Sequence, residues 1–414
     1  MHRILFISLQ VSEAASKGHL NPLIGVVQHV LHAGHEVGWL SLPRAMGPAD
    51  AEQVRAAGAV VLRSPDVPNG VIRSGQELSR LALDPARAWE AYQSFLLDPL
   101  PYLVGPVCEI VREYAPEAIA VDCMSYAGIL AAHRLDIPYV GVCAGLKILK
   151  AGAFCPAYMH DLSPLLPSRE EIFQRFGLAA EFRLLECLSP FANIVFTTKA
   201  LVGDIPLPPN THLVGPSIPP GRRGDEPPFP WEKLRSDKPI VYAAFGSVHT
   251  KTGLNDIVTP LCEAAAQAGA QLVLSSEALA ALAAGESAGA NAGRGDVLIV
   301  PYAPQLQLLE KVDAFVTHGG ANSVMEAMYA GTPLLVVPLS GDQPWQAHFV
   351  QQQLVGIRLD RNRFDRKRCA DALVRLLREG SEFRANARQL RQNYREQNGA
   401  KVAANLILSH AKSR

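Results

Sequence analysis

The chain has 414 residues, of which 48% are hydrophobic and 19% are charged, as in globular proteins rather than disordered ones. This length exceeds what one core usually serves, so we expect two domains of about 200 residues each. The 39 basic and 39 acidic residues cancel, which gives no electrostatic reason to expect nucleic acid or an anionic membrane as a partner.

The first apolar run, RILFISL at residues 3–9, predicts a β-strand. Gln10, Ser12 and Glu13 end the run after about six residues, short of the apolar core of a secretory signal. No stretch reaches the roughly 18 apolar residues that predict a membrane span. The seven cysteines are scattered and contain no C-x-x-C pair. We therefore expect neither a disulfide framework nor a zinc site, and a cytoplasmic location.

Short apolar runs of strand length alternate with longer segments of helical spacing in the first half of the chain. The predicted strands are residues 3–9, 36–42, 118–122, 138–142 and 193–198, and residues 20–31 are a predicted helix. Continuous apolar strands separated by helices predict a parallel sheet that is covered on both faces.

A proline-rich stretch then interrupts the alternation, with ten of the chain's 31 prolines between Pro206 and Pro239. Fixed φ angles and missing N–H donors argue against any regular element there. The sequence thus predicts an N-terminal domain over 1–205, a linker over 206–239 and a C-terminal domain over 240–414.

The C-terminal domain repeats the architecture of the first. Its predicted strands are residues 240–245, 271–275, 297–300, 314–318 and 334–338, and the segments 366–380 and 381–410 are predicted helices, with a possible break at Gly399. The last helix could pack back on the N-terminal domain. Two doubly wound α/β domains would leave a crevice at the carboxyl ends of their strands, where such sheets bind ligands.

The segment FVTHGGANSVMEAMYAGTPLLVVP, residues 315–338, places two glycines and an Asn-Ser pair between a predicted strand and a predicted helix. Glycines let a ligand approach the backbone, and the first N–H groups of a helix are unpaired donors at the positive end of its dipole. This pattern suits a phosphate group, with Asn322 and Ser323 as added donors and Glu326 placed to accept ribose hydroxyls. An Asn-capped helix after a glycine turn explains the fragment equally well.

Neighbouring segments favour the phosphate interpretation. Upstream, PYAPQ at residues 301–305 offers an aromatic ring and a proline-fixed turn for a base. Downstream, Asp342 and Gln343 pair an acid with an amide, which vicinal sugar hydroxyls need as acceptor and donor. Neither a Walker loop nor a G-x-G-x-x-G motif occurs in the chain.

These segments together resemble the nucleotide-sugar signature of family 1 glycosyltransferases, the UDP-glycosyltransferases of GT-B fold, and GHLNPLIGVV resembles the opening of that family. The resemblance implies two Rossmann-like domains facing each other across a cleft. It also implies the following donor-binding residues: Ser247, Tyr302, Ala303, Gln305, His318, Gly320, Asn322, Ser323, Glu326, Asp342 and Gln343. Tyr302 would stack on the base, with Ala303 a backbone contact to it and Gln305 and Glu326 on the ribose. Ser247, His318, Gly320, Asn322 and Ser323 would hold the diphosphate, and Asp342 and Gln343 the sugar.

Two residues carry the implied catalysis. His19 follows the first strand and Asp122 ends another, so both are expected at a carboxyl edge of the sheet. In the family this His is the general base and the acid orients it, as in the His–Asp part of a triad. Because no D-x-D sequence occurs, we expect transfer without a metal, and no cofactor is expected either. A single displacement by the acceptor would invert the anomeric configuration.

The chain departs from the family pattern at three places. One is the segment between Gln305 and Thr317, which is shorter than in the plant members. Plant members usually have Trp at the position of Tyr302, and Cys-Trp at Gly320-Ala321. These features are bacterial in style and leave UDP and dTDP donors open, with glucose favoured as the sugar.

The acceptor is expected to be a lipophilic small molecule, held by residues 86–103 and 143–160 if these segments are more than helix core. We expect a monomer or weak dimer. A GT-B nucleotide-sugar epimerase and a non-catalytic glycosyltransferase helper are the alternatives.

Overall fold

The computed structural model describes residues 1–11, 17–82, 84, 86–146, 148–149, 163–246, 255–285 and 296–412. They form two compact units. The first unit is Met1–Lys199, Gly203–Gly224 and Gln397–Arg414, and the second is Ala200–Val202 and Asp225–Glu396. Residues 206–224 of the predicted linker thus group with the first unit, together with the end of the chain.

The first unit is built on a seven-stranded sheet. Its strands are β1 (Arg3–Gln10), β2 (Glu36–Pro43), β3 (Val60–Val61), β4 (Ala118–Asp122), β5 (Tyr139–Cys143), β8 (Ala192–Val195) and β9 (Thr211–Leu213), and β6 (Phe182–Arg183) pairs with β7 (Glu186–Cys187) as a separate antiparallel ribbon. The spatial order is β3-β2-β1-β4-β5-β8-β9, and every neighbour in it is parallel. The chain therefore runs outward from β1 in one direction and then restarts on its other side at β4.

Helices separate these strands along the chain. They are α1 (Lys17–His32), α2 (Pro48–Ala56), α3 (Gly75–Ala82), α4 (Ala88–Leu96), α5 (Leu100–Tyr114), α6 (Tyr126–Arg134), α7 (Leu166–Arg175) and α8 (Lys199–Val202). Strands β1, β4 and β5 are buried along nearly their whole length, which explains why their sequences are continuously apolar rather than alternating.

The second unit contains a six-stranded parallel sheet. Its strands are β10 (Ile240–Ala244), β11 (Gln271–Ser275), β12 (Val297–Val300), β13 (Ala314–Thr317), β14 (Leu334–Val336) and β15 (Gly356–Arg358). Their order is β12-β11-β10-β13-β14-β15, so this sheet also reverses direction, here between β10 and β13. The predicted doubly wound α/β architecture is confirmed in both units.

The remaining helices follow the same alternation. They are α9 (Asn255–Gln267), α10 (Glu277–Gly285), α11 (Gln305–Leu309), α12 (Ala321–Ala330), α13 (Gln343–Gln352), α14 (Arg366–Leu377), α15 (Glu382–Arg395) and α16 (Gly399–Ser409). The break predicted at Gly399 falls before it: residues 396–398 separate α15 from α16, and Gly399 begins α16. Its backbone lies so close to Gly215 that an added Cβ would stand 2.4 Å from the carbonyl oxygen of Gly215.

The prediction that residues 206–239 contain no regular element was wrong at β9. Its residues, Thr211, His212 and Leu213, contain no proline, and they pair in parallel with Asn193, Ile194 and Val195 of β8. Prolines flank this short strand instead of interrupting it, so the edge of the sheet gains one more strand.

The helical run Ala88–Tyr114 is, within the described ranges, long and apolar enough by length and composition to cross a membrane. The sequence alone predicts no such segment, because no stretch reaches roughly 18 apolar residues. Of its most apolar window, 61% is buried inside the fold, and Leu100, Leu103 and Val107 join the core cluster that contains Leu5 and Ile7 of β1. Packing in a protein core accounts for the same apolar composition.

Candidate functional site

The sheet of the first unit reverses direction between β1 and β4, and His19 and Asp122 meet there. Ile7 of β1 lies beside Val121 of β4, so the carboxyl ends of the two strands are neighbours. Asp122 is the last residue of β4, and His19 is the third residue of α1, the helix that follows β1. His19 Nδ1 is 2.6 Å from Asp122 Oδ2. The sequence placed each residue at a sheet edge, and the structure brings the two together.

Both oxygens of the Asp122 carboxylate have partners. Oδ2 contacts the imidazole, while Oδ1 accepts a hydrogen bond from the Met124 backbone N–H at 2.9 Å. The Asp122 side chain is 5% exposed and that of His19 is 24% exposed. A carboxylate fixed in this way favours the tautomer with the hydrogen on Nδ1, because a carboxylate only accepts. The Nε2 atom of His19 is then the nitrogen that can take up a proton.

The sheet of the second unit reverses direction between β10 and β13, and His318 lies at that point. It follows β13, and its ring is enclosed by glycines on two sides. A Cβ added to Gly246 would stand 2.8 Å from His318 Nε2, and one added to Gly320 would stand 2.7 Å from the same atom. Gly246 and Gly319 have φ of +74° and +84°, which glycine adopts without steric cost. Neither Gly246 nor Gly320 could carry a side chain without displacing the histidine.

Helix α12 begins at Ala321, three residues after this histidine. Gly320 is its N-cap and has no side chain that could cap the helix. The first hydrogen bond of the helix runs from the Val324 N–H to the Gly320 carbonyl at 3.0 Å, so the N–H groups before it point out of the helix end. Asn322 and Ser323 are half-buried in this first turn. The alternative of an Asn-capped helix is wrong, because Asn322 lies inside the helix and Gly320 occupies the cap.

Gln305 and Glu326, both assigned to a ribose by the resemblance, are hydrogen-bonded to each other. Gln305 Nε2 donates to Glu326 Oε2 at 2.9 Å, and the Tyr242 hydroxyl donates to Gln305 Oε1 at 3.3 Å. Glu326 is 2% exposed. Tyr242 was not predicted as part of the site. The available signal was a phenol at the centre of an otherwise apolar strand, since a buried tyrosine hydroxyl usually has a partner.

Tyr302, which the resemblance assigns to the base, is 54% exposed. Its hydroxyl donates to Glu277 Oε2 at 2.8 Å. Partial burial, together with this neighbouring carboxylate, raises the pKa of Tyr302 to about 12, so the phenol remains protonated at neutral pH. Glu277, the first residue of α10, was not anticipated. Ala303 follows Tyr302 and is half-buried next to Pro304, which caps α11.

Asp342 and Gln343 occupy the turn that begins α13, with Asp342 as its N-cap. Gln343 is 7% exposed, and its Oε1 accepts hydrogen bonds from the N–H groups of Leu339 and Ser340 at 2.7 and 2.8 Å. Its carbonyl oxygen therefore holds the turn, which leaves the amide nitrogen as the group that can donate to a ligand. A Cβ on Gly319 would stand 3.5 Å from the backbone carbonyl oxygen of Gln343, so this turn adjoins the glycine turn before α12.

Two predicted parts of the site lie wholly or mostly outside the described residues. Ser247 lies outside the described residues, as does most of the 143–160 segment. The described residues contain no group of three or more His, Cys, Asp or Glu side chains that could hold a metal ion. Within the described ranges, no cysteine forms a disulfide.

Comparison with known proteins places the chain among sugar-transferring enzymes. The family described as UDP-glucoronosyl and UDP-glucosyl transferase matches residues 206–398. The chain is 26% identical to the uncharacterized UDP-glucosyltransferase YdhE of Bacillus subtilis (strain 168), over 92% of each chain. It is 29% identical to the zeaxanthin glucosyltransferase of Pseudescherichia vulneris, over 75% of this chain and 79% of that one. Among solved structures, the glycosyltransferase of kitacinnamycin has a TM-score of 0.72, with 20% identity over 99% of both chains.

Proposed function

The chain belongs to the UDP-glycosyltransferases, the family 1 glycosyltransferases of GT-B fold, and on that premise we propose that it transfers glucose from UDP-glucose to a hydroxyl group of a lipophilic small molecule, with inversion at the anomeric carbon. The observation that carries this proposal is the His19–Asp122 pair, with 2.6 Å between Nδ1 and Oδ2. An enzyme that only rearranges a nucleotide sugar has no acceptor alcohol and so no need of this base.

The proposed step is a single displacement. Nε2 of His19 takes the proton of the acceptor hydroxyl while the oxygen forms a bond to the anomeric carbon. The bond from that carbon to the diphosphate oxygen breaks, and UDP leaves with the electron pair. Asp122 stabilises the imidazolium that forms. One displacement inverts the centre, so an α-linked donor gives a β-glycoside.

The groups around α12 are assigned to the departing diphosphate. The helix N-terminus supplies backbone N–H groups and the positive end of a dipole, and His318, Asn322 and Ser323 add side-chain donors. The close packing of Gly246 and Gly320 on the His318 ring supports this assignment, because a fixed donor needs no reorganisation as charge develops.

The remaining donor contacts follow the same assignment. Tyr302 stacks on the base, and its exposed ring supports this role. Gln305 and Glu326 bind the ribose, and Asp342 and the amide nitrogen of Gln343 bind the sugar. The Glu326 carboxylate is buried and accepts a hydrogen bond from Gln305 at 2.9 Å. Because the two side chains are in contact, we assign both to the same ribose.

The lipophilic acceptor is assigned to the first unit. Its α4 and α5 helices place Phe95, Leu96, Leu100 and Leu103 beside the ends of β1 and β2 and the turn that follows Asp122. A relative that glucosylates zeaxanthin, as its name states, supports a hydrocarbon-rich acceptor.

A product assay tests this function. The protein is incubated with UDP-glucose or dTDP-glucose and a panel of lipophilic phenols and alcohols, and the products are analysed by mass spectrometry and by the NMR coupling at the anomeric carbon. We expect a mass increase of one hexose and a β-linkage, with UDP-glucose as the better donor. An isomerised nucleotide sugar without any glycoside would contradict the proposal and identify an epimerase.

Metal dependence gives a separate prediction. Since the helix N-terminus and His318 are assigned to the diphosphate, EDTA is expected to change the initial transfer rate by less than about twofold, well within the 1.4 kcal/mol of a tenfold change. The measurement compares rates with EDTA, with EDTA followed by excess Mg²⁺, and without additions. A complete loss that Mg²⁺ or Mn²⁺ restores would show that a metal ion neutralises the diphosphate.

A further inference from the structure

A small cavity lies in the first unit against the turn that follows Asp122. It has a volume of about 10 Å³ and is lined mostly by apolar side chains from the ends of β1 and β2 and from α4 and α5, among them Leu9, Leu42, Phe95 and Leu100. Met124 and Ser125, from the turn after β4, complete its wall. A space of this size holds about one heavy atom.

Ser125 is the polar residue of this wall that lacks a partner. It is 3% exposed, and its Oγ makes no hydrogen bond to any residue that the structure describes. Ser125 is also the N-cap of α6, where a serine hydroxyl normally caps the helix, yet no such bond forms here. Burying a hydroxyl without a partner is unfavourable by roughly 1–3 kcal/mol. A bound group that offers an oxygen would remove this cost.

Ser125 belongs to the turn that directly follows Asp122. Its backbone N–H donates to the Asp122 carbonyl at 2.8 Å, in the same turn whose Met124 N–H holds the Asp122 carboxylate. The hydroxyl is therefore within one turn of the acid that orients His19. A molecule that places a substituent in the cavity would lie against the turn that holds the Asp122 carboxylate.

We propose that the cavity and the Ser125 hydroxyl form an acceptor subsite that receives one oxygen substituent next to the hydroxyl that is glucosylated. The inference rests on the proposed function and narrows its acceptor to lipophilic alcohols or phenols with a vicinal oxygen. Apolar side chains surround this single hydroxyl, so a substituent that can form a hydrogen bond with it is favoured over one that cannot.

Two naphthols that differ by one hydroxyl test the subsite. The ratio of kcat/KM for 2,3-dihydroxynaphthalene to that for 2-naphthol is measured in the native protein, in Ser125→Ala and in Ser189→Ala. Ser189 is the matched control, because it is also buried and its hydroxyl donates to the Tyr139 carbonyl at 2.5 Å. We expect the ratio to fall about 3- to 10-fold in Ser125→Ala, the range of one neutral hydrogen bond, and to stay unchanged in Ser189→Ala.

Thermal unfolding of the ligand-free variants gives a second readout. Ser125→Ala removes an unsatisfied group, so its melting temperature is expected to equal or exceed that of the native protein, whereas Ser189→Ala is expected to melt lower. An unchanged naphthol ratio in Ser125→Ala, or a lower melting temperature than in the control, would overturn the subsite.

Direct binding separates this inference from the proposed function. If the native protein transfers glucose to no acceptor of the panel, the proposed function fails, and fluorescence titration with the two naphthols still tests the subsite. Tighter binding of 2,3-dihydroxynaphthalene to the native protein than to Ser125→Ala supports the subsite, and equal binding contradicts it.

Discussion

His19→Ala is expected to lower the rate of glucose transfer about 10²- to 10⁴-fold, the usual contribution of a positioned general base. The alanine cannot accept the proton of the acceptor hydroxyl, and no other described imidazole is placed against the Asp122 carboxylate. Because His19 is 24% exposed at the beginning of α1, the substitution leaves no large cavity in the core. The measurement is kcat at saturating donor and acceptor, with circular dichroism to confirm that the fold is retained.

His32→Ala is the matched control, since His32 lies on the same helix and is exposed. Its transfer rate is expected to remain within about twofold of the native rate, because exposed substitutions away from a site usually change little. If His19→Ala turned over at the native rate, the general-base assignment would be withdrawn. Equal losses in the two variants would point to damage of the helix instead.

Asp122→Asn is expected to lower kcat by roughly 10³-fold, by analogy with other His–Asp pairs in which the amide selects the wrong tautomer. The amide oxygen can still accept the bond from the Met124 N–H, so the turn after β4 is preserved. Its NH₂ group would then face Nδ1 of His19 and draw the imidazole hydrogen to Nε2, where the acceptor proton has to arrive. The countercharge for the imidazolium is lost as well.

Asp136→Asn provides the control for this change of charge. Asp136 is exposed, pairs with Lys412 at 2.7 Å and has a φ of 52°, a conformation that asparagine tolerates. We expect its turnover to match the native protein. Donor binding in Asp122→Asn, followed by calorimetry, is expected to be retained, so a weakened affinity for UDP would reassign Asp122 to the donor.

The proximity of His19 and Asp122 could be predicted because it depends on topology alone. Parallel strands β1 and β4 end at the same edge, so a residue just after one and a residue at the end of the other become neighbours without any knowledge of side-chain conformation. The same reasoning placed the glycine turn after β13. The resemblance to a family then supplied the roles, which neither strand ends nor spacing could have given.

Other features depend on contacts that no pattern reports. Gln343 was expected to face a sugar, but its carbonyl oxygen is used by the backbone of its own turn. Whether a side-chain amide bonds to its own loop or to a ligand depends on interatomic distances, which the sequence does not give. The strand β9 was hidden for a related reason, since three residues between prolines become regular only where an open sheet edge offers partners.

The central claim is that His19 and Asp122 perform the proton transfer while the residues around α12 bind the nucleotide. Calorimetric titration of UDP into His19→Ala and Glu326→Ala tests this division directly, with Glu326→Gln as a variant that keeps an acceptor for Gln305. We expect His19→Ala to bind UDP with native affinity. Glu326→Ala is expected to bind it more weakly by about 1–3 kcal/mol, the range for hydrogen bonds to a charged group, with Glu326→Gln in between. Loss of UDP binding in His19→Ala, together with native affinity in Glu326→Ala, would contradict the account.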